Sequence, residues 1–188
     1  LFNGEPRIRF LRRNSDRDGA CVCRNEGFFA STGDYAIFLD SDDYLAPFCL
    51  EKRVKVMEDN LDLDFAVFPC QIFQKQPGDV QLLWNTVTEE NDIDRFLGLD
   101  IPWQTTSPIW RRKALIQLGG WDDRLLSWQD WEFHLRALIQ GLNHKKYPEP
   151  DCFWRMPDTE SIGLKSLSPE HLCSHEQLFH KLHSMLSE

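Results

Sequence analysis

The sequence lacks any long hydrophobic run. It has no stretch of about 18 or more consecutive apolar residues, so no segment is predicted to cross a membrane as a helix. We see no pattern typical of a secretory signal peptide, no internal repeat and no low-complexity linker. These absences favour an ordinary globular domain that works without a membrane span.

The sequence also lacks a Cys-x-x-Cys pair. Its 6 cysteines are Cys21, Cys23, Cys49, Cys70, Cys152 and Cys173. An even number of cysteines outside a short secreted domain favours reduced, mostly buried thiols over a disulfide framework. Histidines lie two residues before and two residues after Cys173. Such alternate spacing places side chains on one face of a strand, where they could share a metal, but the surrounding pattern predicts a helix. A metal site at His171, Cys173 and His175 is therefore the lesser alternative.

Basic residues are the minority among the charged ones. The chain has 21 Lys and Arg against 30 Asp and Glu, which gives a net charge of −9. An acidic chain is poorly suited to a phosphate backbone, so no nucleic-acid partner is expected, although a local basic pocket for a small phosphorylated ligand remains open. The apolar fraction of 41% and the aromatic fraction of 12% are typical of a folded domain with a real core.

Helical and strand patterns alternate along the chain, which predicts an α/β architecture. Residues 7–13 alternate charged and apolar side chains and predict a short strand. The apolar run at 35–39 follows a helical stretch and predicts a buried parallel strand. Residues 64–73 predict one further strand, and residues 145–156 predict an edge strand interrupted by prolines.

Three helices carry clear signals. The one that follows Pro47 is predicted to turn Leu50, Val54 and Met57 inward. Residues 127–141 place large apolar side chains at steps of three and four, which predicts a strong amphipathic helix. Residues 168–188 begin with a Ser-Pro-Glu start signal and predict a final helix.

Three carboxylates, those of Asp40, Asp42 and Asp43, follow the apolar run directly. Ligands of α/β sheets bind at the carboxyl ends of strands, so these residues are expected at the mouth of a site. One interpretation is an EF-hand loop ending at Glu51, but Leu45 occupies the position that needs glycine. A second is an acidic turn favoured by the dipole of the following helix. A third is an Asp-x-Asp site that holds a divalent cation against a diphosphate.

The order of several motifs resembles the family 2 glycosyltransferases, which are inverting enzymes with the GT-A fold. "GACVCRNEGF" resembles the family's segment ending in Ala-Arg-Asn, and "STGDYAIFLDSDD" is similar to its Thr-Gly-Asp-Tyr run into the Asp-x-Asp motif. "SPIWRRKALIQLGGWDDRL" resembles the acceptor-side segment, and "WQDWEFHLRAL" resembles the family's Glu-Asp-Trp helix start. The resemblance covers residues 6–155.

The resemblance implies a GT-A-like, Rossmann-like fold with a mixed, mostly parallel sheet flanked by helices. It also implies that the N-terminal strands which bind the nucleotide base are missing. We expect a catalytic domain over residues 1–160 and a C-terminal helical extension over residues 161–188. Gln129-Asp130 replaces the family's Glu-Asp pair, so one carboxylate is lost.

The same resemblance assigns the donor side of the site. Arg24, Asp40, Asp42 and Asp43 are expected to bind the donor, with Asp40 and Asp42 holding Mn²⁺ or Mg²⁺ against the diphosphate. By itself, Arg24 is equally well read as a solvated helix charge. An Arg fork suits phosphate oxygens, which is the reason to place it at the donor.

The acceptor side is assigned in the same way. Asp130 is implied as the general base, with His134 one turn later as a residue that orients it. A carboxylate favoured by the helix dipole is the plain alternative for Asp130. Trp103, Trp121 and Asp122 are candidates for acceptor binding, although core packing is the commoner use of tryptophan.

The expected activity is therefore sugar transfer from a nucleotide-sugar donor, expected to be a UDP-sugar, to a saccharide or lipid-linked acceptor. Such a protein would serve bacterial polysaccharide or glycoconjugate synthesis in the cytoplasm, with peripheral contact to the inner membrane face as a variant. A GT-like domain that binds a nucleotide sugar without turnover is one alternative. A nucleotidyltransferase is the other, but its Gly-rich, Lys-bearing phosphate loop is not visible.

Overall fold

Helices and strands alternate along the chain in the computed structural model, which describes residues 4–13, 15–156 and 168–187. The helices are α1 (Ala20–Ala30), α2 (Cys49–Asp59), α3 (Asp92–Leu97), α4 (Arg112–Leu118), α5 (Gln129–Ile139) and α6 (Pro169–Ser187). The strands are β1 (Tyr35–Ala36), β2 (Tyr44–Leu45), β3 (Phe65–Val67), β4 (Cys70–Phe73), β5 (Pro108–Arg111), β6 (His144–Lys146) and β7 (Cys152–Arg155). The predicted α/β class is confirmed.

Within the described residues, the strands form two mixed sheets. One has the order β1-β5-β3-β6, and the other has the order β2-β7-β4. The pairings β3–β6 and β4–β7 are parallel, and the remaining ones are antiparallel. The prediction of a parallel strand at 35–39 is wrong, because only Tyr35 and Ala36 form β1 and they pair antiparallel with β5. Whether a strand pairs parallel or antiparallel depends on its partner strand. The partner of β1 is distant along the chain, so the local apolar run does not reveal the direction of pairing.

The stretch predicted as one strand over 64–73 is two strands in different sheets. β3 ends at Val67 and β4 begins at Cys70, with Phe68 and Pro69 between them. Proline has no N–H to donate to a ladder, so the pairing of the first sheet stops before Pro69. The stretch predicted as one edge strand over 145–156 is likewise divided between the two sheets, with β6 in one and β7 in the other. Strand β7 is the middle strand of its sheet, so the predicted edge position is wrong for it.

The start of the described chain is irregular. Residues 7–13 form no strand, and Phe10 and Leu11 are exposed. The predicted strand is therefore wrong for these residues: the Arg9 guanidinium donates to the carbonyl of Ala30, and no ladder partner lies beside this segment among the described residues.

An aromatic core surrounds helix α5. Of the predicted inner side chains, Trp131, Leu135, Leu138 and Leu142 are buried, whereas Trp128, which precedes the helix, is half-buried. The ring of Phe133 stacks on Trp121 at 4.1 Å between centroids. Apolar burial of this kind is the main force that holds such a fold together.

Helix α2 is rotated relative to the prediction. Met57 is buried as expected, but Leu50 is exposed, and Cys49 and Arg53 take the inner positions. Arg53 pairs with Asp151, so the charge is compensated inside the protein. Periodicity alone assigns the inner face to apolar residues, and a buried ion pair breaks that assumption.

Two cysteines are joined, which corrects the expectation of reduced thiols for this pair. Cys70 and Cys152 lie opposite each other in the parallel ladder of β4 and β7 and form a disulfide, with 4.8 Å between their Cα atoms. The other four are free: Cys21 and Cys49 are buried, whereas Cys23 and Cys173 are exposed. Strand pairing brings the bonded pair together, and spacing along the sequence does not reveal it.

None of the described helices is both long and apolar enough to cross a membrane. The predicted boundary between residues 160 and 161 lies outside the described residues. Helix α6 packs on α5, with Leu178 and Leu182 buried in the same core as Trp131.

Candidate active site

The acidic segment after β1 forms a tight turn. The backbone N–H of Asp43 donates to the carbonyl of Asp40 at 3.1 Å, and the chain then enters β2. The turn points its carboxylates in different directions: Asp42 is exposed, Asp40 is half-buried and Asp43 is buried. Leu45 lies in a strand and Glu51 in the first turn of α2, so the segment does not form a twelve-residue EF-hand loop.

Asp43 anchors the turn to the interior. Its carboxylate accepts the Thr106 hydroxyl at 2.8 Å and the backbone N–H of Arg155 at 3.1 Å. Burial raises the pKa of Asp43 to about 6, although these two hydrogen bonds act in the opposite direction. Both carboxylate oxygens are therefore engaged with the protein, in contrast to those of the exposed Asp42.

Arg24 links helix α1 to the acidic turn. Its Nη2 donates to Oδ1 of Asp40 at 2.5 Å, and its Nη1 lies 3.5 Å from the side-chain oxygen of Gln129. The guanidinium also lies over the Trp121 ring, 4.5 Å from the centroid. Only 14% of the Arg24 side chain is exposed, so this positive charge is held in a fixed place beside the carboxylates.

Asp130 lies in the first turn of α5, and it faces the same cluster. Its Oδ1 accepts the backbone N–H of Trp131 at 2.9 Å. Neighbouring atoms enclose the carboxyl group while part of the residue stays open to solvent. Burial raises the pKa of Asp130, the charge of Arg24 lowers it, and the charge of Asp40 raises it again. Arg24 and Asp40 thus both act on the pKa of Asp130, and Arg24 also lies beside Gln129, the residue that precedes it.

His134 does not orient Asp130, which corrects the expectation based on their spacing. The imidazole is fully buried, and neither ring nitrogen has a hydrogen-bond partner among the described residues. Its ring lies among the tryptophans of the core instead. The helical spacing is as expected, but the side chain turns inward.

The residues predicted to bind the acceptor are packed against the protein. Trp103 is 2% exposed and lies beside Phe96, and Trp121 is 4% exposed. Neither ring therefore offers an open face in this structure. The carboxylate of Asp122 bonds to Arg124 and Lys181, and these contacts hold the pKa of Asp122 well below its ordinary value.

Several contributors to the site had no signal in the local sequence. Thr106 and Arg155 hold Asp43 from positions 63 and 112 residues away. Lys181 reaches Asp122 across 59 residues. Each contact joins elements that are distant along the chain, so no motif spacing marks it.

Asp40 and Asp42 are the carboxylates of the acidic turn that keep oxygens available to a cation. No group of three or more His, Cys, Asp or Glu side chains forms a metal cluster in the described ranges, which include His171, Cys173 and His175. Two hard carboxylates at a turn fit a divalent cation such as Mg²⁺ or Mn²⁺, which commonly completes its shell with water and substrate phosphates. Asp42 is accessible for this purpose, and Asp40 has one carboxylate oxygen that does not contact Arg24.

Comparison with known sequences gives a consistent result. The sequence model described as Glycosyl transferase family 2 matches residues 1–119. An uncharacterized glycosyltransferase of Haemophilus influenzae is 28% identical over 126 residues, which is 67% of this chain and 43% of that protein. Another, from Methanocaldococcus jannaschii, is 25% identical over 175 residues, which is 93% of this chain and 59% of the relative. The chain thus spans about half the length of the curated relatives it matches.

Comparison with solved structures agrees on the fold. S. aureus TarS in complex with UDP-GlcNAc has a TM-score of 0.65 at 16% identity, over 88% of this chain and 47% of that one. The mannosyltransferase PcManGT from Pyrobaculum calidifontis, in complex with GDP-Man and Mn²⁺, has a TM-score of 0.55 at 16% identity, over 89% of this chain and 44% of that one. These likenesses show the GT-A fold. Together with the sequence match over residues 1–119, they establish that the chain belongs to glycosyl transferase family 2.

Proposed function

We propose that this chain carries the catalytic site of a metal-dependent, inverting glycosyltransferase that moves a sugar from a nucleotide sugar to an acceptor hydroxyl. The carrying observation is the position of the Arg24 guanidinium on α1, which bonds to Asp40 after β1 and lies 3.5 Å from the side-chain oxygen of Gln129, the residue before Asp130 on α5. Such a transfer needs compensation of the phosphate charge and a base that takes the proton of the acceptor. The guanidinium of Arg24 would supply charge compensation, and the carboxylate of Asp130 would supply the base.

The donor side rests on the turn residues. Asp42 and Asp40 would hold Mn²⁺ or Mg²⁺, and the bound cation would act as a Lewis acid on the leaving diphosphate. Arg24 neutralises Asp40 and keeps its guanidinium beside the place where phosphate oxygens would lie. TarS and PcManGT are described in complex with UDP-GlcNAc and GDP-Man, which supports a nucleotide-sugar donor, with a UDP-sugar as our first choice.

The acceptor side rests on Asp130. Its Oδ1 is occupied by the Trp131 N–H, which leaves Oδ2 to accept the proton of the attacking hydroxyl. Because burial raises the pKa of Asp130, its carboxylate is a stronger base than an exposed one. Attack from the side opposite the leaving diphosphate would invert the anomeric centre. The acceptor, a saccharide or a lipid-linked one, would bind beside Asp130, and the roles of Trp103, Trp121 and Asp122 in that step stay predictions.

A non-catalytic nucleotide-sugar-binding domain is the second candidate. It is favoured by Gln129, which places a neutral amide where the family pattern has a carboxylate. Binding without turnover would distinguish this candidate from the enzyme. A nucleotidyltransferase would instead release pyrophosphate from a nucleoside triphosphate.

Asp130→Asn tests the catalytic base. In purified protein of full natural length, we expect binding of UDP or GDP with Mn²⁺ to stay within about twofold, while turnover falls about 10²- to 10⁴-fold because the amide cannot take the proton. Calorimetry measures binding, and release of UDP or GDP from UDP-GlcNAc or GDP-mannose across a panel of saccharide acceptors measures turnover. Asp123→Asn is the matched control, since Asp123 is a half-buried carboxylate that pairs with Arg17. Near-normal turnover in Asp130→Asn would remove this residue from the mechanism.

Asp42→Ala tests the metal site in the same binding assay. Loss of a ligand leaves the diphosphate charge largely uncompensated, so Mn²⁺-dependent nucleotide binding should disappear. Asp59→Ala is the control, because Asp59 is an exposed carboxylate on α2 that pairs with Lys55 and lies outside the acidic turn. If Asp42→Ala bound nucleotide and Mn²⁺ like the wild type, the metal assignment would be wrong. The contact of Asp43 with the donor stays a prediction.

A further inference from the structure

We infer that Asn25 is a positioning residue, which fixes the main chain of Trp121 so that the Trp121 ring carries the guanidinium of Arg24 at the donor side of the site. This inference rests on the proposed function, because it gives Arg24 a role in nucleotide binding. It adds a residue that would not itself touch the substrate.

The side-chain amide of Asn25 makes a reciprocal pair of hydrogen bonds. Its Nδ2 donates to the carbonyl of Trp121 at 2.8 Å, and its Oδ1 accepts the backbone N–H of Trp121 at 2.8 Å. Both main-chain groups of a residue 96 positions away are thus satisfied by one side chain. An amide is suited to this task, because it has a donor and an acceptor side by side.

The loop around Trp121 is held by close contacts on its main chain. Gly120 has a φ of +80°, and a Cβ atom there would meet Oδ1 of Asn25 at 2.6 Å, so the chain passes too close for any side chain. The Arg136 guanidinium also donates to the carbonyls of Leu118 and Gly120. The main chain at Trp121 is therefore clamped by two side chains, Asn25 on α1 and Arg136 on α5.

The clamped tryptophan forms a platform for Arg24. One contact is the stack on Phe133, with 4.1 Å between centroids and 7° between planes, and another is an edge contact with Phe38 at 5.2 Å. Arg24 lies 4.5 Å from the ring centroid and from there reaches Asp40. A cation over an indole face is attracted by the ring quadrupole, so the position of the ring sets the position of the charge.

These contacts form a continuous series that runs from Asn25 through Trp121 to Arg24. Asn25 is adjacent to Arg24 in α1, yet the two side chains act on opposite parts of the same tryptophan, one on its backbone and one on its ring. Removal of the Asn25 amide should let the platform shift, and Arg24 should then lose its fixed orientation while keeping its charge.

The test is a double-mutant cycle on nucleotide binding. In purified protein of full natural length, calorimetry with Mn²⁺ measures the affinity for UDP and for GDP, and the tighter of the two is used for Asn25→Ala, Arg24→Ala and the double variant. We expect Asn25→Ala to weaken binding about 3- to 30-fold, the range that loss of a cation–π contact gives. We expect it to have almost no further effect in the Arg24→Ala background, because its effect passes through Arg24.

A merely structural role would give a different pattern. Asn25→Ala would then lower the melting temperature and weaken binding equally with and without Arg24. Asn60→Ala is the matched control, since the Asn60 amide bonds to the carbonyl of Val56 on α2 and should leave nucleotide affinity unchanged. Should Asn25→Ala fail to fold, Asn25→Gln keeps the amide and displaces it by one methylene, and the same cycle is measured with it.

The outcomes separate this inference from the proposed function. If Arg24→Ala weakens binding and the Asn25 effect is additive with it, the positioning role is overturned and the donor role of Arg24 stands. If Arg24→Ala leaves affinity for both nucleotides unchanged, the donor role fails and the positioning role fails with it. A non-additive cycle supports both.

Discussion

At the scale of single residues, His134 is an ionisable group enclosed by the aromatic core. It is fully buried, and the rings of Trp110 and Trp121 lie within 6.3 Å between centroids. Burial lowers the pKa of His134 to about 3, and the charge of Arg24 acts in the same direction. The imidazole is therefore neutral in the folded protein at any pH near neutrality.

This neutrality makes stability depend on pH. Below the ordinary pKa of about 6.5, His134 in the unfolded chain binds a proton that the folded protein does not bind until about pH 3, so acid favours unfolding. Between pH 7 and pH 5 this residue should cost about 2 kcal/mol of unfolding free energy. His134→Phe should remove that part of the pH dependence.

Urea unfolding at pH 7 and pH 5 measures the difference. His183→Phe is the matched control for the substitution, since His183 is an exposed histidine on α6. Equal losses of stability in the wild type and His134→Phe between the two pH values would contradict the prediction.

At the scale of elements, helix α2 is held by a charge in its inner face. Arg53 and Asp151 are both fully buried, with 2.6 Å between Nη2 and Oδ1. The Arg53 guanidinium also donates to the carbonyl of Thr106 at 2.9 Å. The pair thus ties α2 to the segments that precede β5 and β7. Strand β7 ends at Arg155, whose backbone N–H donates to Asp43.

Loss of one partner should be costly. Asp151→Ala leaves the Arg53 charge buried without compensation, and we expect a loss of about 3–5 kcal/mol in unfolding free energy. Asp59→Ala is the control on the outer face of the same helix, where Asp59 pairs with Lys55 in solvent. That change should cost about 0.5 kcal/mol or less. Denaturant unfolding of the two variants distinguishes the cases, and a similar small loss in both would show that the buried pair contributes little.

At the scale of the whole molecule, helix α6 completes the core that carries Asp130. Leu178 is fully buried, Lys181 bonds to both Asp122 and Glu132, and the Ser127 hydroxyl contacts a ring nitrogen of His175 at 2.7 Å. These contacts reach the segment that leads into α5. Helices α5 and α6 should therefore unfold together.

Leu178→Ala tests this coupling. A buried leucine truncated to alanine typically costs about 2–5 kcal/mol, and the loss should appear in a single transition for the whole described core. Leu172→Ala is the control on the same helix, because Leu172 is 50% exposed and its truncation should have a small effect. Calorimetric melting is the measurement, and a separate early transition in Leu178→Ala would show that α6 is an independent unit.

The sequence by itself determined the class of the fold, the family and the location of the acidic turn. It also predicted helix α5 and its buried stripe, since the spacing of Trp131, Leu135 and Leu138 follows the helical period. These features are local: they depend on periodicity within a few turns or on motifs whose order along the chain is itself the signal.

Only the tertiary structure decided which side chains face one another. The inward turn of Asp43, the disulfide between Cys70 and Cys152, and the antiparallel pairing of β1 all depend on distant segments. Arg24 meets Asp40 only because α1 packs beside the end of the apolar run. Such contacts are selected by packing and by the need to compensate buried charge, and both act between surfaces that the local sequence does not bring together.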